Sequence, residues 1–300
     1  MRRLELSELE ARCQKLGHRE LGTWMARTVG RPMALRVTQT IAPWGISANA
    51  VTLWAWALAV AAAGSFAIGA TWSWIIGSVL WQLWYLLDHV DGQLARLRRT
   101  ESLDGVALDY LMHHTLHLLM PLGLCGGIAA CRLEPLWVYV GVAWSLALLL
   151  LHLQADVRYK AFIQRLKRVE GQLLVTGGAG GRPSAESLPS GAVRRVRWLA
   201  AKLCETHVQM NLIAVTSLAE LVVGDGGLML ARVVVLILAG TASMRAAVAL
   251  YRMLGRQQAE REYSAWYRPP ANSVVVYQEG WWRVHNMPGP HFDVGASASS

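Results

Sequence analysis

Apolar residues run almost unbroken through six stretches of this chain, at about residues 51–70, 71–88, 106–130, 136–153, 208–223 and 228–250, with polar residues gathered between them. A bilayer core takes about 20 mostly apolar residues per helix, so each stretch predicts a membrane span. The fifth is short and holds Asn211 and Glu220; a buried helix of a soluble protein is the alternative there. Ahead of the spans, Leu6, Leu9, Cys13 and Leu16 recur at gaps of three and four among charged neighbours. That spacing predicts an amphipathic helix at the membrane surface, with Trp24 and Met25 as anchors. Polar residues of the segment 46–52 can cap the first span, and seven tryptophans between Trp44 and Trp84 fall mostly towards helix ends, where an amphipathic ring is favoured.

Between the fourth and fifth spans, Arg158–Gln172 is basic, with Phe162, Ile163, Leu166 and Val169 in helical rhythm, and predicts a continuation of the fourth helix. Gly177–Gly191, rich in Gly, Ser and Pro, reads as a mobile loop, and Ala192–His207 resumes basic, helical spacing. Beyond residue 255 the chain turns polar; Val274–Tyr277 and Trp281–Trp282 suggest a small appendage before a disordered end. The fold class is therefore all-α, a polytopic membrane protein of six transmembrane helices with an N-terminal amphipathic surface helix. Its parts are an interfacial arm (1–45), a membrane domain (46–255) and a cytoplasmic tail (256–300).

Composition agrees: 54% hydrophobic against 16% charged residues excludes an ordinary soluble domain. The net charge of +9 sharpens the picture through its placement. Arginine and lysine crowd the N-terminal arm, the 96–99 turn, the 158–202 connection and the segment after Tyr251, and almost vanish from the other connections. By the positive-inside rule both termini and the turn between Asp88 and Asp109 face the cytoplasm, in a multi-pass protein of the inner (plasma) membrane. Anionic headgroups account for the basic balance, so no nucleic-acid partner is expected; Arg194, Arg195, Arg197 and Lys202 most simply meet headgroups. The start, Met1 to Arg12, lacks the apolar core of a cleaved secretion signal. Cys13, Cys125, Cys131 and Cys204 have no metal-ligand spacing and read as free thiols.

Candidate chemistry concentrates in residues 88–113: Asp88-x-x-Asp91-Gly92-x-x-Ala95-Arg96, eight residues, then Gly105-x-x-x-Asp109-x-x-x-His113. On a helix Asp88, Asp91 and Ala95 share a face, and Asp109, His113 and His117 share another. A carboxylate at membrane depth costs on the order of 3 kcal/mol, and a divalent cation is its natural partner. Oxygen ligands suit Mg²⁺ or Mn²⁺, which in turn binds phosphate oxygens. Gly92 and Ala95 are small enough for a bulky ligand to approach the helix, and Arg96 can grip phosphate bidentately.

This pattern resembles the CDP-alcohol phosphotransferase (CDP-alcohol phosphatidyltransferase) family, whose motif ends in a fourth aspartate where this chain has His113. The resemblance covers roughly residues 30–255, including the Asn49-x-x-Thr52 start of the first span. It implies a donor such as CDP-diacylglycerol or a CDP-linked polyol, an acceptor hydroxyl that attacks the β-phosphorus, and release of CMP. It also implies Asp88, Asp91 and Asp109 as metal ligands, Asp88, Asp91, Gly92, Ala95, Arg96 and Gly105 around the cytidine diphosphate, and a homodimer. A neutral imidazole, with an ordinary pKa of about 6.5, can take a hydroxyl proton, so His113 is the candidate base. The alternative is a catalytically impaired relative that binds CDP-alcohol or metal without turnover. His117, His152, Asp156 and Arg245 are candidate acceptor contacts, and the cationic residues near the site suggest a phosphorylated acceptor.

Overall fold

The computed structural model describes residues 5–14, 17, 19–20, 22–176, 190–224 and 227–286. Leu16, most of the Gly177–Gly191 loop and the end of the tail lie outside the described residues. The helices are α1 (Leu6–Cys13), α2 (Arg31–Ile41), α3 (Ala48–Ala67), α4 (Thr71–Arg98), α5 (Leu103–Arg132), α6 (Leu136–Leu166), α7 (Ala192–Leu203), α8 (Thr206–Val223), α9 (Met229–Gly255) and α10 (Gln258–Trp266). Five short strands join them: β1 (Val169–Glu170), β2 (Leu174–Val175), β3 (Tyr267–Arg268), β4 (Ser273–Gln278) and β5 (Trp281–Asn286). The chain forms two units, one of Met1–His152 with Arg182–Ala249 and one of Leu153–Gly181 with Leu250–Ser300.

In the first unit, five of the six expected spans, α3, α5, α6, α8 and α9, are long and apolar enough to cross a membrane. The remaining one, α4, falls short because Trp, Ser, Tyr and Gln dilute its aliphatic residues. The cap of α3 falls in the segment the sequence suggested, where Ser47 accepts a hydrogen bond from the Ala50 amide at 3.2 Å; Ser102 caps α5 through the Gly105 amide at 3.0 Å. The two polar residues that counted against α8 as a span both find partners. Asn211 accepts from the Gln82 amide at 2.9 Å, and the buried Glu220 accepts from the Ala231 amide at 2.8 Å, in the first turn of α9 where the helix dipole favours a carboxylate.

The centre of this unit is built on small residues. A Cβ on Gly127 would lie 2.0 Å from the Phe66 carbonyl oxygen, and one on Gly123 would lie 2.3 Å from that of Ala63, so α3 and α5 meet backbone to backbone. Such approach supplies the packing that hydrophobic burial cannot supply within lipid. Around it Phe66, Trp74, Trp81, Trp84 and Leu124 fill the core. Part of the apolar face of α1 packs on protein: Leu9 and Cys13 are buried with Leu35 and against Leu97, on α2 and α4, while Leu6 stays exposed. The arm is fixed further by a buried chain in which Thr38 donates to Gln93 (3.0 Å) and Gln93 donates to the Arg31 carbonyl (3.1 Å).

The second unit holds the appendage expected of the tail, built partly from strands. α6 stops at Leu166; β1 then pairs in parallel with β5, β4 and β5 form an antiparallel hairpin, and β2 pairs with β3. Positive φ at Glu279 and Gly280 gives the hairpin the tight turn its twist prefers. Phe162 is buried among Tyr159, Tyr263, Trp266 and Tyr267. The Arg165 guanidinium lies 4.5 Å from the Tyr263 ring and 3.8 Å from that of Trp282, while also pairing with Glu260.

Candidate active site and metal centre

α4 runs from its apolar body into Asp88–Arg98, reverses through Arg99 in the left-handed region, and returns as α5 four residues later. The two halves of the motif therefore face each other across one short turn. They line a cavity of about 330 Å³, with Asn49 and Thr52 of α3 on a third side and Gln14 and Arg31 from the arm. That volume falls at the lower end of ordinary small-molecule sites.

At one side of the cavity, ligand atoms of Asp88, Asp109 and His113 lie within 4.8 Å of one another. His113 Nε2 stands 3.1 Å from Asp88 Oδ1 and 3.5 Å from Asp109 Oδ1. The imidazole is backed edge-on by Trp84 at 5.6 Å, whose indole N–H is directed to the Met112 sulfur. Asp88 Oδ1 is buried with no hydrogen bond of good geometry. Two carboxylates and an imidazole this close together form a donor set that fits Mg²⁺ or, better, Mn²⁺.

Asp91 lines the same cavity but belongs to a different set of contacts. It is 7% exposed, accepts from the Thr52 hydroxyl at 2.7 Å through Oδ2, and meets the Gly92 amide through Oδ1. It thus joins α4 to α3, apart from the three-residue cluster. Gly92, Ala95, Arg96 and Gly105 all line the cavity. The Arg96 guanidinium lies over Gly92, where an added Cβ would meet it at 3.3 Å, and its Nε donates to the carbonyl of Cys13 at the end of α1.

The expected acceptor contacts lie elsewhere. His117 is buried and stacks on His152, ring centroids 3.7 Å apart, and neither lines the cavity. Asp156 belongs to the second unit. Arg245 donates to the carbonyls of Ala201 (3.2 Å) and Ala200 (3.5 Å) at the C-terminal end of α7. Conversely, sequence reasoning left out Thr52, Asn49, His89, Gln14 and Arg31, all cavity-lining. Thr52 and Asn49 had a signal in their spacing ahead of the first span; His89 lay unread between two motif aspartates. A neighbouring cavity of about 390 Å³ shares Gln14 and Arg31 with the first and adds Arg19, Arg27 and Glu10.

The fold and this centre define a multi-pass helical membrane protein with an acidic cluster opposite an arginine. The family model described as CDP-alcohol phosphatidyltransferase matches residues 45–174, the stretch that holds α3 to α6 and every motif position. That family acts on CDP-alcohols and hydroxyl acceptors, transferring phosphorylated groups. No curated protein matches the chain.

Proposed function

We propose that this protein transfers a substituted phosphate group from a CDP-linked alcohol to an acceptor hydroxyl, with release of CMP and with Mg²⁺ or Mn²⁺ held by the carboxylates of Asp88 and Asp109 beside His113. The observation that carries the reading is the convergence of those three side chains in the cavity that Gly92, Ala95, Arg96 and Gly105 also line. When bound, a divalent ion would neutralise the diphosphate and polarise the bond to the leaving phosphate. Gly92 would let the nucleotide approach α4, and Arg96 would pair with phosphate oxygens of the departing CMP. Asp91, braced by Thr52, would hold α3 against α4 and so fix the cavity wall. His113 Nε2 would accept the proton of the attacking hydroxyl. The arginines of the adjoining cavity, Arg19, Arg27 and Arg31, suit an acceptor that itself bears phosphate. The basic 96–99 turn supports a cytoplasmic location for the site.

One observation favours a second reading. The His113 ring sits between Asp88 and Asp109, where an imidazolium would balance the carboxylates without metal, as in a relative that binds nucleotide but does not turn over. The decisive experiment incubates the purified protein with a panel of CDP-alcohols and of plain and phosphorylated acceptors, and follows CMP. Release that requires Mg²⁺ or Mn²⁺ and stops with chelator is expected. Changing His113 to Asp should retain turnover and His113→Ala should abolish it. Donor binding with no CMP from any pairing would establish the non-catalytic reading, and full activity in the Ala variant would remove His113 from the chemistry.

A further inference from the structure

α7 lies outside the matched domain and is the one long helix among the described residues with no buried side chain. Its sequence segregates into two faces. Val193, Val196, Leu199, Ala200 and Leu203 fall on one side at helical spacing, and Arg194, Arg195, Arg197, Trp198 and Lys202 on the other, with no acidic residue in the helix. Among the described residues only the C-terminal end of the apolar side is covered, where Leu203 packs on the core of the bundle. Val193, Val196 and Leu199 remain 66%, 62% and 52% exposed.

The position of α7 is fixed at two points. Cys204 and Glu205 alone separate it from α8, and Arg245 of α9 holds its last carbonyls. Both α8 and α9 are membrane spans by length and apolarity, so the helix ends two residues before a span begins. A cation from α9 at that end also opposes the negative end of the α7 dipole. Lys202 is occupied locally, 3.1 Å from Glu205. Arg194, Arg195 and Arg197 stand exposed on the face opposite the apolar stripe.

We propose that α7 is a membrane-surface helix that lies among the headgroups of an anionic leaflet. Val193, Val196 and Leu199 enter the acyl boundary, the three arginines meet lipid phosphates, and Arg245 sets the depth. Charge complementarity and attachment to two spans single out lipid as the occupant of the stripe. The inference is independent of the catalytic reading.

The test places an environment-sensitive fluorophore on the full chain at Val196→Cys, and separately at Arg197→Cys, in proteoliposomes of phosphatidylcholine with or without phosphatidylglycerol. Signal from protein lacking the added cysteine is subtracted. The Val196 probe should shift to the blue in anionic vesicles and lose most of its emission when the lipids carry bromine near the top of the acyl chain; the Arg197 probe should do neither. Changing Arg194, Arg195 and Arg197 together to Gln should erase the difference between vesicle types. A Val196 probe that stays in water overturns the proposal. So does one shielded but unquenched by bromolipid, and in that case cross-linking through Val196→Cys would identify a second copy as the cover.

Discussion

The α3–α5 contact and the second unit solve the same problem in opposite ways. In the first, side chains are removed until backbones touch, at Gly123 and Gly127. In the second, large side chains accumulate: five aromatic rings surround or include Phe162, and Arg165 is held between two rings. The difference follows the solvent each segment's composition implies. Between apolar helices in lipid there is no hydrophobic gain from association, so close backbone packing must hold them. Amphipathic segments such as α10 and the β4–β5 hairpin gain from burying rings while their cations stay wet.

The largest break in this contrast is Gly127→Leu. A side chain directed at the Phe66 carbonyl has nowhere to go, and overpacking of this kind costs about 3 kcal/mol or more. Loss of monodisperse protein in detergent size-exclusion is expected; a well-folded variant would mean that α3 and α5 can part without penalty. Next comes Arg165→Ala, which deletes two ring contacts and the Glu260 pair for about 2 kcal/mol. Limited proteolysis should then open the 250–286 segment while CMP release is unchanged. Thr52→Val sharpens the comparison inside the membrane unit, because it leaves buried Asp91 without its hydroxyl donor at a cost of about 1–3 kcal/mol. A lower Tm together with weaker donor binding is expected, and Thr52→Ser should restore both.

The smallest effect concerns the arm. Burial pushes the Cys13 thiol from 9.0 up to about 11, and only the thiolate alkylates. At pH 8 the native protein should react at Cys13 far more slowly than the denatured chain, as read by peptide mass spectrometry. Because the fold favours the protonated thiol, this contribution to the seating of α1 is present below pH 9 and is lost as pH rises through about 11. Equal labelling of native and denatured protein at pH 8 would show α1 detached.

The spans and the motif were legible because both are local. Runs of apolar residues, and carboxylates at helical spacing on either side of one short turn, need no knowledge of distant partners. What the sequence withheld was the choice among partners. Asp88 and Asp91 share a helix face, yet one joins His113 on α5 and the other Thr52 on α3, a division set by which neighbour approaches from which side. Arg245 was readable as an intramembrane cation that must find something polar, and that something is the end of α7. The parallel pairing of Val169 with Trp282 joins residues far apart in the chain, and no local pattern names that partner.

Arg96 makes any account of ligand affinity a coupled one. Its Nε is engaged by the Cys13 carbonyl while the same guanidinium overhangs the cavity floor at Gly92. A substitution there loosens the arm and strips the cavity of a cation in one stroke. Only a double-mutant cycle against truncation of α1 can apportion the loss between tether and grip.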